Sequence, residues 1–202
     1  MLDYHNEWLL PAEHRFPLPE TTTGRIWLEI GCGNGHFLAA MLRLHPEISW
    51  VALEYKRKRV LKTLEKLKKL GEPAVTLIYG DFFTLAPKKL PPQAFERILL
   101  NFPDPWPKKR HAKKRLVGPS TLPWLYDLLL PGGMLCVATD APDFAAQILD
   151  LLEADPRFVN LHPPYRRERP EFPGTLYLER WQRERRELHF FDYRKETLPL
   201  PK

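Results

Sequence analysis

The 202-residue chain is poor in cysteine (two), methionine (three), asparagine (four) and glutamine (three). Cys32 and Cys136 stand in separate apolar segments, which excludes a Cys-x-x-Cys metal or redox pattern. They read as small core residues of a protein in a reducing compartment, and no metal ion is expected. No apolar run approaches the roughly 20 residues of a membrane span. The opening Met1-Leu2-Asp3-Tyr4-His5-Asn6-Glu7 has neither the basic nor the apolar block of a secretory leader. The expected location is therefore cytoplasmic. Internal repeats and low-complexity segments are missing as well. Proline is the exception to this scarcity, with 22 residues. Many prolines beside few thermolabile side chains fit a thermophile, and drift in a GC-rich genome produces the same skew.

What is present is an ordinary soluble composition, 44% hydrophobic and 28% charged, with length enough for one sizeable core. The net charge of +6 suggests a polyanionic partner if it is clustered. Apolar runs Ile26-Trp27-Leu28-Glu29-Ile30, Ser49-Trp50-Val51-Ala52-Leu53, Val75-Thr76-Leu77-Ile78-Tyr79, 97–101 and 134–138 predict five strands. Helices are expected between them: one bearing Phe37, Leu38, Met41 and Leu42, and one over 57–70 with Val60, Leu61, Leu64 and Leu67 inward. Two more are expected over 121–130 and about 142–152. Apolar strands alternating with helices indicate a parallel sheet covered on both faces, a doubly wound α/β fold. Strands at 176–181 and 187–193 are expected to pair as a C-terminal antiparallel hairpin. The chain then reads as one domain: an extension (1–24), a cofactor-binding core (25–155) and a substrate-side loop with the hairpin (156–202).

Directly after the first strand comes Glu29-Ile30-Gly31-Cys32-Gly33-Asn34-Gly35. Glycines at alternate positions let a ligand approach the backbone closely. The dinucleotide pattern needs its third glycine at position 36, which is His36, so a nicotinamide oxidoreductase is disfavoured. The spacing matches the acidic-x-Gly-x-Gly-x-Gly loop of class I methyltransferases that bind S-adenosylmethionine. Glu54 ends the second strand about 20 residues further on, where a ribose diol is gripped. Asp81 ends the third, placed for an adenine amino group. Glu29 either anchors the loop or reaches the methionine ammonium through water. Each carboxylate alone reads equally as a helix cap or a surface charge.

The fourth strand ends in Asn101-Phe102-Pro103-Asp104-Pro105-Trp106-Pro107. Three alternating prolines fix φ and withhold donors, giving a stiff non-helical loop. The run from Lys108 to Arg115 follows, with six Lys/Arg and no acid. It is the uncompensated part of the cationic surface and the candidate for phosphate contacts through Lys109, Arg110, Lys113, Lys114 and Arg115. The lysines of 56–69 read as a solvated face, and the arginines of 166–186 are interleaved with glutamates as surface pairs. Trp106 either stacks on a base or packs under its loop.

The Asn101–Lys108 loop with its basic run resembles the signature of the bacterial tRNA (guanine-N(7)-)-methyltransferase family. The resemblance runs from about Trp27 to Trp181 and includes Ala138-Thr139-Asp140 and Thr175-x-Tyr177. It implies a Rossmann-like class I methyltransferase with a mostly parallel seven-stranded sheet. S-adenosylmethionine would be the cofactor, S-adenosylhomocysteine its product and tRNA the partner, for a monomer or homodimer. Glu29, Gly31, Gly33, Gly35, Glu54, Asp81 and Asn101 would then contact the cofactor. Asp104 would sit at the active centre, with Lys108, Asp140 and Thr175 on the substrate. The resemblance also implies the guanine at position 46 of the tRNA variable loop. The family usually has an acidic residue where this chain has Leu178. Either Glu179 replaces it through a local bulge, or the contact is absent. A methyltransferase acting on a protein or a small molecule would leave the basic run idle, whereas one acting on another RNA is an alternative that would use it. A non-catalytic RNA-binding module would not need the four acidic residues Glu29, Glu54, Asp81 and Asp104.

Overall fold

The computed structural model describes residues 2–6, 16–19, 21, 23–71, 73–170, 173 and 176–196. It forms two compact units, 1–91 with 170–185 and 92–169 with 186–202.

In the first unit β1 (Leu2–Asn6), β2 (Ile26–Ile30), β3 (Ser49–Glu54) and β4 (Val75–Tyr79) run parallel in the order β1-β4-β3-β2. Every residue of β2 and β3 is buried, the pattern of strands covered on both faces. Helices α1 (His36–Leu44), α2 (Arg57–Lys68) and α3 (Phe82–Leu85) follow β2, β3 and β4 in turn. Helix α1 buries Phe37, Leu38, Ala39, Met41 and Leu42. Trp27 meets the fully buried Trp50 edge-on at 5.3 Å, and burying a large side chain of this kind contributes about 2–3 kcal/mol. Helix α2 departs from expectation. Its inward residues are Val60, Thr63 and Leu67, whereas Leu61 is 38% exposed. The spacing is still helical, but a threonine occupies the stripe.

In the second unit β5 (Phe95–Asn101) runs parallel to β6 (Leu129–Thr139), with α4 (Leu122–Leu128) between them in sequence. Helix α5 (Pro142–Glu153) and β7 (Phe158–Asn160) follow, and β8 (His189–Lys195) lies antiparallel between β6 and β7. Pro131-Gly132-Gly133 lies inside β6, where the register shifts opposite Phe95 and Arg97. A Cβ on Gly133 would stand 2.9 Å from the Leu130 carbonyl oxygen, so this irregularity requires glycine.

The C-terminal antiparallel pair is present, but its members differ from those expected. Residues 176–181 are not a strand: they belong to α6 (Leu176–Arg183), part of the first unit. Leucine, glutamate, glutamine and arginine are good helix formers, and Arg180 pairs with Glu184 one turn on at 2.8 Å. The strand that pairs with β8 at the end of the chain is β7, too short to have been visible as a pattern.

Buried polar contacts fix β8. Asp192, 3% exposed, accepts from Arg166 at 2.9 Å and from Arg169. Arg169 is therefore a core residue and Arg166 a half-buried one, unlike the exposed Arg167–Glu187 pair. Tyr193 donates to Glu153 at 2.7 Å, and Asn160 donates to both. Lys195 donates to the carbonyls of Tyr126 and Leu129, both at 2.8 Å, and so caps the end of α4.

Asp192→Asn leaves two arginines without their counter-charge and is expected to cost about 3–5 kcal/mol in urea unfolding. The donors Asn160 and then Tyr193 hold the Glu153 carboxyl below its ordinary value of 4.5. A depressed folded value stabilises above 4.5, and that stability is lost as pH falls through the folded value. Acid titration of Glu153→Gln is expected to lack this component, which unfolding curves at graded pH below 4.5 would show.

Candidate functional site

Register places three functional segments at the C-terminal ends of adjacent parallel strands. Ile30 pairs with Leu53, and Glu54 pairs with Tyr79, so the glycine loop, Glu54 and Gly80-Asp81 leave β2, β3 and β4 on one side. Gly31, Gly33 and Gly35 all have positive φ (81°, 58° and 69°). Their surroundings separate them. Nothing lies within 4 Å of the Cβ position at Gly31 or Gly33, whereas at Gly35 a Cβ would meet Thr63 Cγ2 at 2.7 Å. Gly31 and Gly33 thus leave open space beside the loop, while Gly35 lets α1 pack on α2.

Glu54 organises this loop. Its carboxylate is 2% exposed, accepting from the Gly33 N–H at 3.0 Å and from the Lys56 N–H at 2.8 Å. Thr63 donates to the Gly33 carbonyl at 2.9 Å. A carboxylate has about four acceptor positions, and these two N–H groups take two, so capacity remains for ligand hydroxyls. Asp81 is exposed and caps α3 by accepting from the Phe83 N–H at 3.2 Å. Glu29 is buried in β2. Burial, and then the charges of Glu29 and Glu54, push the Cys32 thiol well up, so it is inert as a nucleophile. Open space beside two glycines, a buried carboxylate with spare acceptors and an exposed carboxylate fit a nucleoside. Among the described residues no group of three or more His, Cys, Asp or Glu is gathered as for a metal ion.

In the second unit the Pro-rich loop leaves β5 at Asn101, which pairs with Ala138 of β6. The Phe102 N–H donates to the Ala138 carbonyl at 2.8 Å. Phe102 and Trp106 both adopt left-handed backbone, with φ of 50° and 43°. Such conformations cost a non-glycine residue about 1–2 kcal/mol each, so the surroundings must hold them. Asp104 is exposed between them.

The basic run forms a 3-10 turn, Lys109–Lys114. Side chains three apart share a side in this geometry. His111 meets the Trp106 ring edge-on at 5.7 Å, and Lys114 Nζ lies 4.7 Å from its centroid. The half-buried Trp106 thus packs against the basic turn. Lys108, Arg110, Lys113 and Lys114 are exposed to solvent. Arg115 corrects the expectation of a phosphate contact. It is 7% exposed and donates to the carbonyls of Pro105 (2.8 Å) and Trp106 (3.3 Å) and to Gln147 (2.5 Å).

Of the remaining expected residues, Asp140 is half-buried and accepts from Arg186 at 2.5 Å. Glu179 is exposed on α6 while Leu178 is buried. Successive helical residues point about 100° apart, so no bulge brings Glu179 to the place of Leu178. Thr175 lies outside the described residues. Thr63 and Gln147 escaped the sequence reading. Thr63 had one signal, a polar residue on the apolar stripe of a lysine-rich helix.

Gly35→Ala is expected to destabilise by about 2–3 kcal/mol through backbone and collision with Thr63. Gly33→Ala, strained in φ alone, should cost about 1 kcal/mol. Paired urea denaturation curves would measure the difference.

A family model for methyltransferases, Methyltransf_4, matches residues 23–191. The tRNA (guanine-N(7)-)-methyltransferase of Alkalilimnicola ehrlichii is 37% identical over 173 residues, 85% of this chain and 73% of its own length. That of Geobacter metallireducens is 30% identical over 170 residues, 83% and 81% of the two chains. Among solved structures, an rRNA methylase from Streptococcus thermophilus superposes with TM-score 0.58 at 16% identity, covering 89% of this chain and 90% of that one. The 16S rRNA methyltransferase KamB gives 0.62 at 17%, covering 85% and 88%. These structural likenesses establish the Rossmann-like, mostly parallel methyltransferase fold.

Proposed function

The chain belongs to the tRNA (guanine-N(7)-)-methyltransferase family, and on that premise we propose how its residues divide the reaction. The protein is an S-adenosylmethionine-dependent methyltransferase that methylates the seven-position nitrogen of a guanine in tRNA, at position 46 of the variable loop. The observation that carries this reading is that one chain holds both a Glu54-tied, three-glycine loop and a rigid Asp104 loop leading into a cationic turn.

When bound, S-adenosylmethionine supplies an electrophilic methyl group on a sulfonium. Gly31 and Gly33 admit it against their backbone, Glu54 accepts from ribose hydroxyls, and Asp81 accepts from the adenine amino group. Glu29 serves its methionine part, and Asn101 is proposed on the cofactor. The seven-position nitrogen of guanine has a lone pair and no proton, so no general base is required and positioning dominates. Asp104 accepts from the one- and two-position N–H groups of guanine and offsets the positive charge the purine acquires. Asp140 and Thr175 are proposed on the substrate, and the contact usual at the Leu178 position is absent. Lys108, Arg110 and Lys113 meet phosphates, with Lys109 and Lys114 beside them.

The test is transfer of labelled methyl from S-adenosylmethionine to an unmodified tRNA transcript, followed by borohydride and aniline cleavage. Scission at one variable-loop guanine is expected. Label without scission would overturn the guanine assignment, and tRNA binding without label would favour a non-catalytic module. Asp104→Asn is expected to lower kcat/KM about 100-fold or more, because the amide turns a donor toward guanine's donors. Lys113→Ala should weaken tRNA binding and reduce the salt slope by about one unit in a titration across salt concentrations.

A further inference from the structure

Arg115 looks in sequence like the last member of a phosphate-binding run, and its surroundings assign it different work. We propose that Arg115, steadied by Gln147, is a positioning residue for methyl transfer, setting the backbone that carries Asp104; this rests on the role of Asp104 given above. Its Nε donates to the Pro105 carbonyl at 2.8 Å and one terminal nitrogen to the Trp106 carbonyl at 3.3 Å. These two carbonyls flank the left-handed φ of Trp106, so a single planar guanidinium holds both peptide units beside the strained residue. The other terminal nitrogen donates to Gln147 Oε1 at 2.5 Å. Gln147 Nε2 donates to the Val117 carbonyl at 2.8 Å, which fixes the amide with its oxygen toward Arg115. The guanidinium also lies 5.4 Å from the Phe144 ring, so α5 supplies both of these side-chain contacts.

The reach of this clamp follows from chain geometry. The Asp104–Pro105 peptide is planar and the proline ring fixes φ of Pro105. Between the Asp104 Cα and the clamped Pro105 carbonyl only two torsions remain, ψ of Asp104 and ψ of Pro105. Holding that carbonyl therefore limits where the Asp104 carboxylate can stand. Lysine cannot substitute, since one ammonium does not offer a planar fork to three separated acceptors.

The experiment compares Arg115→Lys, Arg115→Ala and Gln147→Leu with the wild type. Three readouts are used: amide exchange over 102–108, single-turnover methyl transfer at saturating tRNA, and tRNA affinity across salt concentrations. Expected are faster exchange at Asp104 and Trp106, a rate lower by about 10- to 100-fold, and tRNA affinity and salt slope close to wild type. Guanidinium ion, and not ammonium, should partly restore the rate of Arg115→Ala. A normal saturated rate with weaker binding and a salt slope reduced by about one would overturn the proposal in favour of a phosphate contact. Should Arg115→Ala not fold, Gln147→Leu decides, and wild-type exchange and rate there would also overturn it. The exchange readout does not depend on the reaction. A wild-type protein that fails to methylate tRNA would refute the assigned function, whereas unchanged exchange in the variants would refute the clamp.

Discussion

The first unit depends on one buried carboxylate. Glu54 accepts from the Gly33 and Lys56 N–H groups, tying the loop after β2 to the entry of α2. Thr63 returns from α2 to the Gly33 carbonyl, so both backbone groups of that glycine are held. A loop of left-handed glycines would otherwise be the least ordered segment of the unit. With the backbone fixed from one side, the open side is where Gly31 and Gly33 present no Cβ. The same acidic side chain thus shapes the loop and keeps acceptor capacity for a ligand.

The second unit meets the same requirement by other means. Its functional loop has no run of glycines; three prolines remove freedom, and two left-handed residues are held by the Ala138 carbonyl at one end and the Arg115 guanidinium at the other. A reaction that needs no base gains from such pre-organisation more than from a tuned titratable group. Contacts along the 3-10 turn follow its three-residue period. His111 and Lys114 meet the Trp106 ring, and Arg110, Lys113 and Lys114 are all exposed to solvent.

Much of this was legible in the sequence because it rests on local signals. Strands β2 to β5, helices α1 and α5 and the glycine loop announce themselves through period and glycine spacing. What was misread depends on contacts between distant segments. Residues 176–181 alternate well enough to pass for a strand, but β8 pairs with β6 and β7 and leaves no partner in the pattern for them. Arg115 shares its residue type with its basic neighbours, and only the fold shows its guanidinium among carbonyls. Asp192 likewise looks like any strand acid until Arg166 and Arg169 are found on it.

The central claim is that the Glu54-tied glycine loop is the cofactor site, and calorimetric titration of S-adenosylmethionine without RNA tests it most directly. The account predicts saturable binding of one equivalent to the wild type. Glu54→Gln, whose amide turns a donor toward the Gly33 or Lys56 N–H, should bind at least about tenfold more weakly. Equal affinity in the two proteins would contradict the account and place the cofactor elsewhere.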